Sequence, residues 1–114
     1  MASRAEWTVE FYTDVRGNSP VEEFLQSLSK RERTEAARAI ELLREFGLLL
    51  GMPHARPVGG LWELRAGAGR IFYFAYAGRQ FILLHAYRKK SRKTPKRESE
   101  TAQRRWADFV ERER

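Results

Sequence analysis

Trp7, Val9 and Phe11 alternate with Thr8, Glu10 and Tyr12, the period of two expected of a half-buried strand. Gly17-Asn18 breaks that pattern. Ser19-Pro20-Val21-Glu22 then reads as a capping box with proline at the first helical position. Val21, Phe24, Leu25 and Leu28 follow at helical spacing and predict a short helix with one apolar stripe. Ser29-Lys30-Arg31-Glu32 is a second capping box, opening a longer helix whose inner face is Ala36, Ala39, Ile40, Leu43 and Phe46, with Gly47 as the stop. Leu48 to Gly60 contains Pro53, Pro57, Gly51, Gly59 and Gly60 and is expected to be a connection. The Leu48-Leu49-Leu50 run within it suits either a core edge or an exposed patch for a protein partner.

Three strand-like runs follow: Leu61 to Arg65, Arg70 to Tyr76 and Phe81 to Lys89. The turns Ala66–Gly69 and Ala77–Gln80 join them into an antiparallel meander. Thr94 suits a helix N-cap, Pro95 the first helical residue, and Ala102, Trp106, Phe109 and Val110 an apolar stripe. The predicted order is β-α-α-β-β-β-α in a single domain spanning residues 1–114. Such an order describes an α+β two-layer fold, with an antiparallel twisted sheet, helices on one face and an open, concave face opposite.

Composition narrows the chemistry. The absence of cysteine removes disulfides, Cys-zinc sites and thiol catalysis. His54 and His85 are the only histidines, and no His/Asp/Glu spacing resembles a metal site, so neither metal nor cofactor is expected. No run approaches the ~20 apolar residues that cross a bilayer, so no membrane partner is expected. The N-terminal MASRAEWTVEF has no apolar core of signal-peptide length, which predicts a cytoplasmic protein. The net charge of +7 is unevenly placed: residues 1–50 carry −2 and residues 51–114 carry +9. A field concentrated in one half favours a polyanionic partner over a uniformly basic, merely soluble surface.

That field is densest in HAYRKKSRKTP, His85 to Pro95, where the strand Phe81-Ile82-Leu83-Leu84 runs out into Arg88, Lys89, Lys90, Arg92 and Lys93. Charges at the end of a buried strand stand at the rim of a sheet, where they can face phosphates. Across the preceding turn, Arg65 and Arg70 are expected to oppose each other. Like charges directly across a sheet repel, so the pair is better explained as a clamp on a phosphate than as structure. The bland alternative pairs one of them with Glu63 or a helix carboxylate. By strand period, His85, Tyr87 and Lys89 share one face, and Arg88 and Lys90 the other. An aromatic among cations is what RNA binding uses, although Tyr87 also suits an ordinary strand aromatic. His85 reads first as a hydrogen-bonded core histidine, and His54 as a loop residue without a partner.

The ordered set LWELR (61–65), RIFYF (70–74), LLHAYRKK (83–90) and Thr94-Pro95 resembles the RelE/ParE toxin superfamily, most closely its phage-derived, HigB-like branch. The likeness runs from the Trp7 strand to the Trp106 helix. It implies a RelE-like fold and the toxin of a type II toxin–antitoxin system. It further implies a ribosome-dependent, metal-independent messenger RNA endoribonuclease that cuts in the ribosomal A site by 2′-hydroxyl attack. On that resemblance Arg65, Arg70, Tyr87, Lys89 and Lys90 are the catalytic candidates, and Arg88, Arg92, Lys93 and His85 the RNA-binding ones. Relatives place Arg, His or Tyr at the end of the last strand, whereas this chain has no histidine there. Arginine cannot easily serve as a base, so the base would be a lysine with lowered pKa or His85. The implied partners are the ribosome, its messenger RNA and a cognate antitoxin, in this branch usually a helix-turn-helix DNA-binding protein. A ParE-like inhibitor of DNA gyrase and a non-catalytic basic RNA-binding module are the alternatives; one fold can serve each.

Overall fold

The computed structural model describes residues 7–114, so the reading of the N-terminal segment as lacking a signal peptide falls mostly outside the described residues. The elements are β1 (Thr8–Phe11), α1 (Pro20–Gln26), α2 (Lys30–Phe46) and a 3-10 turn (Gly47–Leu49), then β2 (Ala55–Val58), β3 (Leu61–Ala66), β4 (Gly69–Tyr76), β5 (Gln80–Arg88) and α3 (Lys96–Arg112). The five strands form one sheet in the order β1-β5-β4-β3-β2. The α+β class holds, and every expected element is present with one strand more.

Three details differ from the sequence expectation. The supposed connection contains β2, which pairs antiparallel with β3 at the sheet edge. Pro57 falls within it, and a proline without an N–H is tolerated on an edge strand. The sheet is mixed rather than antiparallel, because β1 runs parallel to β5. Alternation reveals a strand's buried face but not its neighbour. Finally, the helices do not all share one face. Leu64, Ile71, Tyr73, Phe81 and Leu83 pack with α1 and α2, whereas Leu61, Phe72, Phe74, Ile82 and Leu84 pack with Ala102, Trp106 and Phe109 of α3. The central strands are apolar on both sides for that reason.

Local chemistry explains most boundaries. The capping box of α2 is complete: Glu32 N–H donates to Ser29 Oγ at 3.2 Å and Ser29 N–H to Glu32 Oε1 at 3.1 Å. The one foreseen at Ser19 is not, since that side chain makes no capping bond and its buried hydroxyl has no partner. Pro20 at the first position starts α1 instead. Gly47 closes α2 at φ 58°, and a Cβ there would collide with the Trp7 indole, which stacks on Phe81 with 4.2 Å between centroids. Phe46 was expected inside yet is exposed, and the leucine run divides: Leu50 is buried while Leu48 and Leu49 face outward. Thr94 does not cap α3, whose N-cap is Pro95.

Candidate functional site

The β3–β4 turn is tight: Ala66 pairs with Gly69, leaving Gly67 and Ala68 as the two turn residues, with Gly67 at φ 63°. That register puts Arg65 directly opposite Arg70, as the sequence suggested. The ladder continues outward on both sides, with Arg70 opposite Tyr87 and Glu63 opposite both Phe72 and Arg56. Arg56, Glu63, Arg65, Arg70 and Tyr87 therefore share the face that also carries Phe72. Farther along, α3 covers this face; at the turn end it is open.

A cleft of about 560 Å³ occupies the open end. Arg65, Arg70, Lys89, Lys90 and Arg92 line it, so five of the nine nominated residues converge there. Glu63, Arg56 and His54 line it too; sequence reasoning missed Arg56 because β2 was read as a loop, whereas His54 does lie in the turn before β2. Six cations against one carboxylate leave the cleft strongly positive. Among the described residues, Arg65, Lys89, Lys90 and Arg92 make no ion pair. Arg70 is braced rather than paired: its Nη1 donates to the carbonyls of Gly67 (2.9 Å) and Gly69 (2.7 Å). Burial, then the Arg65 charge beside it, lower the Arg70 pKa. Burial also lowers that of Lys89, with Arg56, Arg70 and Arg65 adding to the effect and Glu63 opposing it.

Glu63 is the one buried charged residue of the described core, at 1 % exposure. Its Oε1 accepts from Arg56 Nε at 3.1 Å, and its Oε2 accepts from Tyr87 Oη at 2.7 Å and Thr94 Oγ1 at 2.9 Å. Burial pushes its pKa up, but the bonds from Tyr87, Thr94 and Arg56 outweigh burial and hold it below the ordinary value. Tyr87 is accordingly not a stacking platform. Its ring is buried, which offers no face to a base, and burial together with the Glu63 carboxylate pushes its pKa up to about 12.

The other nominated residues lie elsewhere. Arg88 points to the α2 side, where Nη1 bonds Glu32 Oε2 at 2.6 Å. Strand alternation sends it away from Tyr87, so it does not join the cleft. His85 lies beneath α3, its Nε2 2.6 Å from Glu98 Oε1 and its Nδ1 2.8 Å from Arg105 Nη1. Since a guanidinium can only donate, Nδ1 accepts and Nε2 carries the proton, a neutral imidazole with both nitrogens occupied. Burial lowers its pKa, in keeping with the neutral form. Both ring nitrogens are thus engaged beneath α3, which fits the reading of His85 as a hydrogen-bonded core histidine. Lys93 is exposed in the loop after β5 and does not line the cleft.

Fold and site together define a small α+β protein with a cationic cleft at one end of its sheet. The chain belongs to the family described as phage derived protein Gp49-like (DUF891), which matches residues 23–107, and that family is part of the RelE/HigB-type toxin group. The match spans every residue of the cleft. No curated protein matches the chain. Among the described residues, no helix is long and apolar enough to cross a membrane.

Proposed function

We propose that this chain is the toxin of a type II toxin–antitoxin pair, on the HigB-like branch, and that it cleaves messenger RNA in the ribosomal A site. The observation that carries this reading is the opposed Arg65/Arg70 pair, without a carboxylate partner among the described residues, in a cleft that also holds Lys89 and Lys90. In the proposed reaction the 2′-oxygen forms a bond to the adjacent phosphorus and the bond from phosphorus to the 5′-oxygen breaks. The products are a 2′,3′-cyclic phosphate and a 5′-hydroxyl. Arg65 and Arg70 hold the equatorial phosphate oxygens as charge builds on them. Lys89, its pKa lowered by burial and by neighbouring cations, takes the proton of the 2′-hydroxyl; Lys90 returns one to the leaving oxygen. The ribosome supplies the orientation of the RNA strand. No metal ion enters this scheme.

A toxin of this kind requires an antitoxin, and we assign that partner, a helix-turn-helix DNA-binding protein in this branch, to co-expression with the neighbouring gene. Absence of both a complex and relief of growth arrest would remove that part of the proposal. The reaction itself is tested by cell-free translation of a defined message with mapping of 5′ ends. Cuts that require translating ribosomes and fall at A-site positions support it. Intact message with normal protein output overturns it and leaves gyrase inhibition and passive RNA binding.

A further inference from the structure

We propose, on the basis of the RNA-cleaving reading above, that Glu63 is a positioning residue: its buried carboxylate fixes the Arg56 guanidinium so that Arg56 grips a phosphate of the bound strand. Arg56 stands on the edge strand β2, its side chain 40 % exposed, where a long side chain would ordinarily sample many rotamers. Two bonds prevent that. Nε donates to Glu63 Oε1 at 3.1 Å and Nη2 donates to Thr94 Oγ1 at 2.9 Å. A guanidinium has five N–H groups, so three remain for a ligand. Glu63 is itself held, because Tyr87 and Thr94 both donate to its other oxygen.

Folding alone explains Glu63 poorly. Its cross-strand neighbours are Phe72 on β4 and Arg56 on β2, and an apolar side chain at that position would avoid the cost of burying a carboxylate. Simple electrostatics explains it no better, since a negative charge weakens a cleft built to attract phosphate. Both objections vanish if the carboxylate acts on geometry. Buried, it holds Arg56 Nε with one oxygen and, with the other, the Thr94 hydroxyl that takes Arg56 Nη2, so the guanidinium anchored from the sheet edge is fixed at two points. In the sheet order β5-β4-β3-β2, Arg56 stands on the edge strand β2 while Lys89 and Lys90 follow β5, and the proposal runs the RNA strand between them.

The test compares single-turnover cleavage on translating ribosomes for wild type, Glu63→Gln, Arg56→Met and the double variant. Each single change is expected to slow cleavage about 10- to 100-fold, with the double variant no slower than the slower single one, since a misplaced group loses rate on that scale. Slowdowns that multiply, or Glu63→Gln cutting at the wild-type rate, would overturn the proposal. If circular dichroism shows Glu63→Gln unfolded, Thr94→Val takes its place. It is expected to slow cleavage in the wild-type background and to have no effect beside Arg56→Met; an equal effect in both backgrounds overturns the proposal. Should wild type leave the message intact, the enzymatic reading falls while this one is still read by NMR. The Arg56 Nε–H signal should shift on adding a 2′-O-methyl oligoribonucleotide to wild type and not to Glu63→Gln. Equal shifts, or none in wild type, would contradict it.

Discussion

Replacing Tyr87 with phenylalanine isolates the buried network at the cleft. The ring stays, packed near Phe72 with 6.1 Å between centroids, and only the hydroxyl that donates to Glu63 at 2.7 Å is lost. A hydrogen bond to a charged group contributes about 1.5–3 kcal/mol, and here the carboxylate left behind is buried. At about 4 °C per kcal/mol for a domain of this size, Tm should fall by about 6–12 °C. The pH dependence gives a second, independent sign. The Glu63 pKa lies below its ordinary value in the folded protein, so its bonds stabilise the fold above the ordinary carboxylate range. That stability is lost as pH falls through the folded pKa. Tyr87 is the foremost of the groups opposing burial, so in Tyr87→Phe the folded pKa rises. The Tm difference from wild type should therefore be largest near neutral pH and shrink in acid. Thermal melts by circular dichroism at several pH values measure both. An unchanged Tm, or a deficit constant from neutral to acid pH, would refute the network as described.

Further outcomes separate the cleft from its surroundings. Arg70→Ala should lower cleavage about 100- to 1,000-fold, the loss typical of one donor to a developing oxyanion, whereas Arg88→Ala should leave the cleavage rate unchanged. The same Arg88→Ala change should move the Glu32 pKa from about 2 back toward its ordinary 4.5, read by NMR titration, because the Arg88 hydrogen bond is the main cause of the shift. If Lys89 is the base, the cleavage rate should climb with pH until Lys89 is deprotonated, at a pH below the ordinary lysine value, and Lys89→Arg should abolish that climb; a profile unaltered by the substitution would exclude it. Leu43→Ala, at a fully buried position beneath the sheet, should cost about 2–5 kcal/mol in a denaturant titration.

The sequence disclosed what depends on period and local chemistry. The Ser29 capping box, the meander and the opposition of Arg65 to Arg70 follow from spacing alone, and all three are present. Long-range pairing was hidden. Nothing in Ala55–Val58 marks a strand, because two prolines and flanking glycines mask four residues that pair only at an edge. Missing β2 meant missing Arg56, and with it one of the donors that meet the buried Glu63. A usable signal existed: a lone carboxylate between Trp62 and Leu64 in an apolar strand must find donors if it is buried. Alternation along β5 separated Arg88 from Tyr87 correctly, yet the cation cluster was still treated as one surface. The period ends with the strand at Arg88, and Lys89 and Lys90 both line the cleft although alternation would have set them on opposite faces. Placing α3 on the second face required knowing that Phe72, Phe74, Ile82 and Leu84 needed cover as much as their neighbours did.

The most direct test of the cationic cleft as an RNA-cleaving site is the chemistry of the cut ends with and without its arginine pair. Message recovered from a translating cell-free reaction should carry 5′-hydroxyl and 2′,3′-cyclic phosphate ends at A-site positions with wild type. A folded Arg65→Ala/Arg70→Ala double variant should yield no such ends. Equal cutting by that variant, or 5′-phosphate ends from wild type, would contradict it.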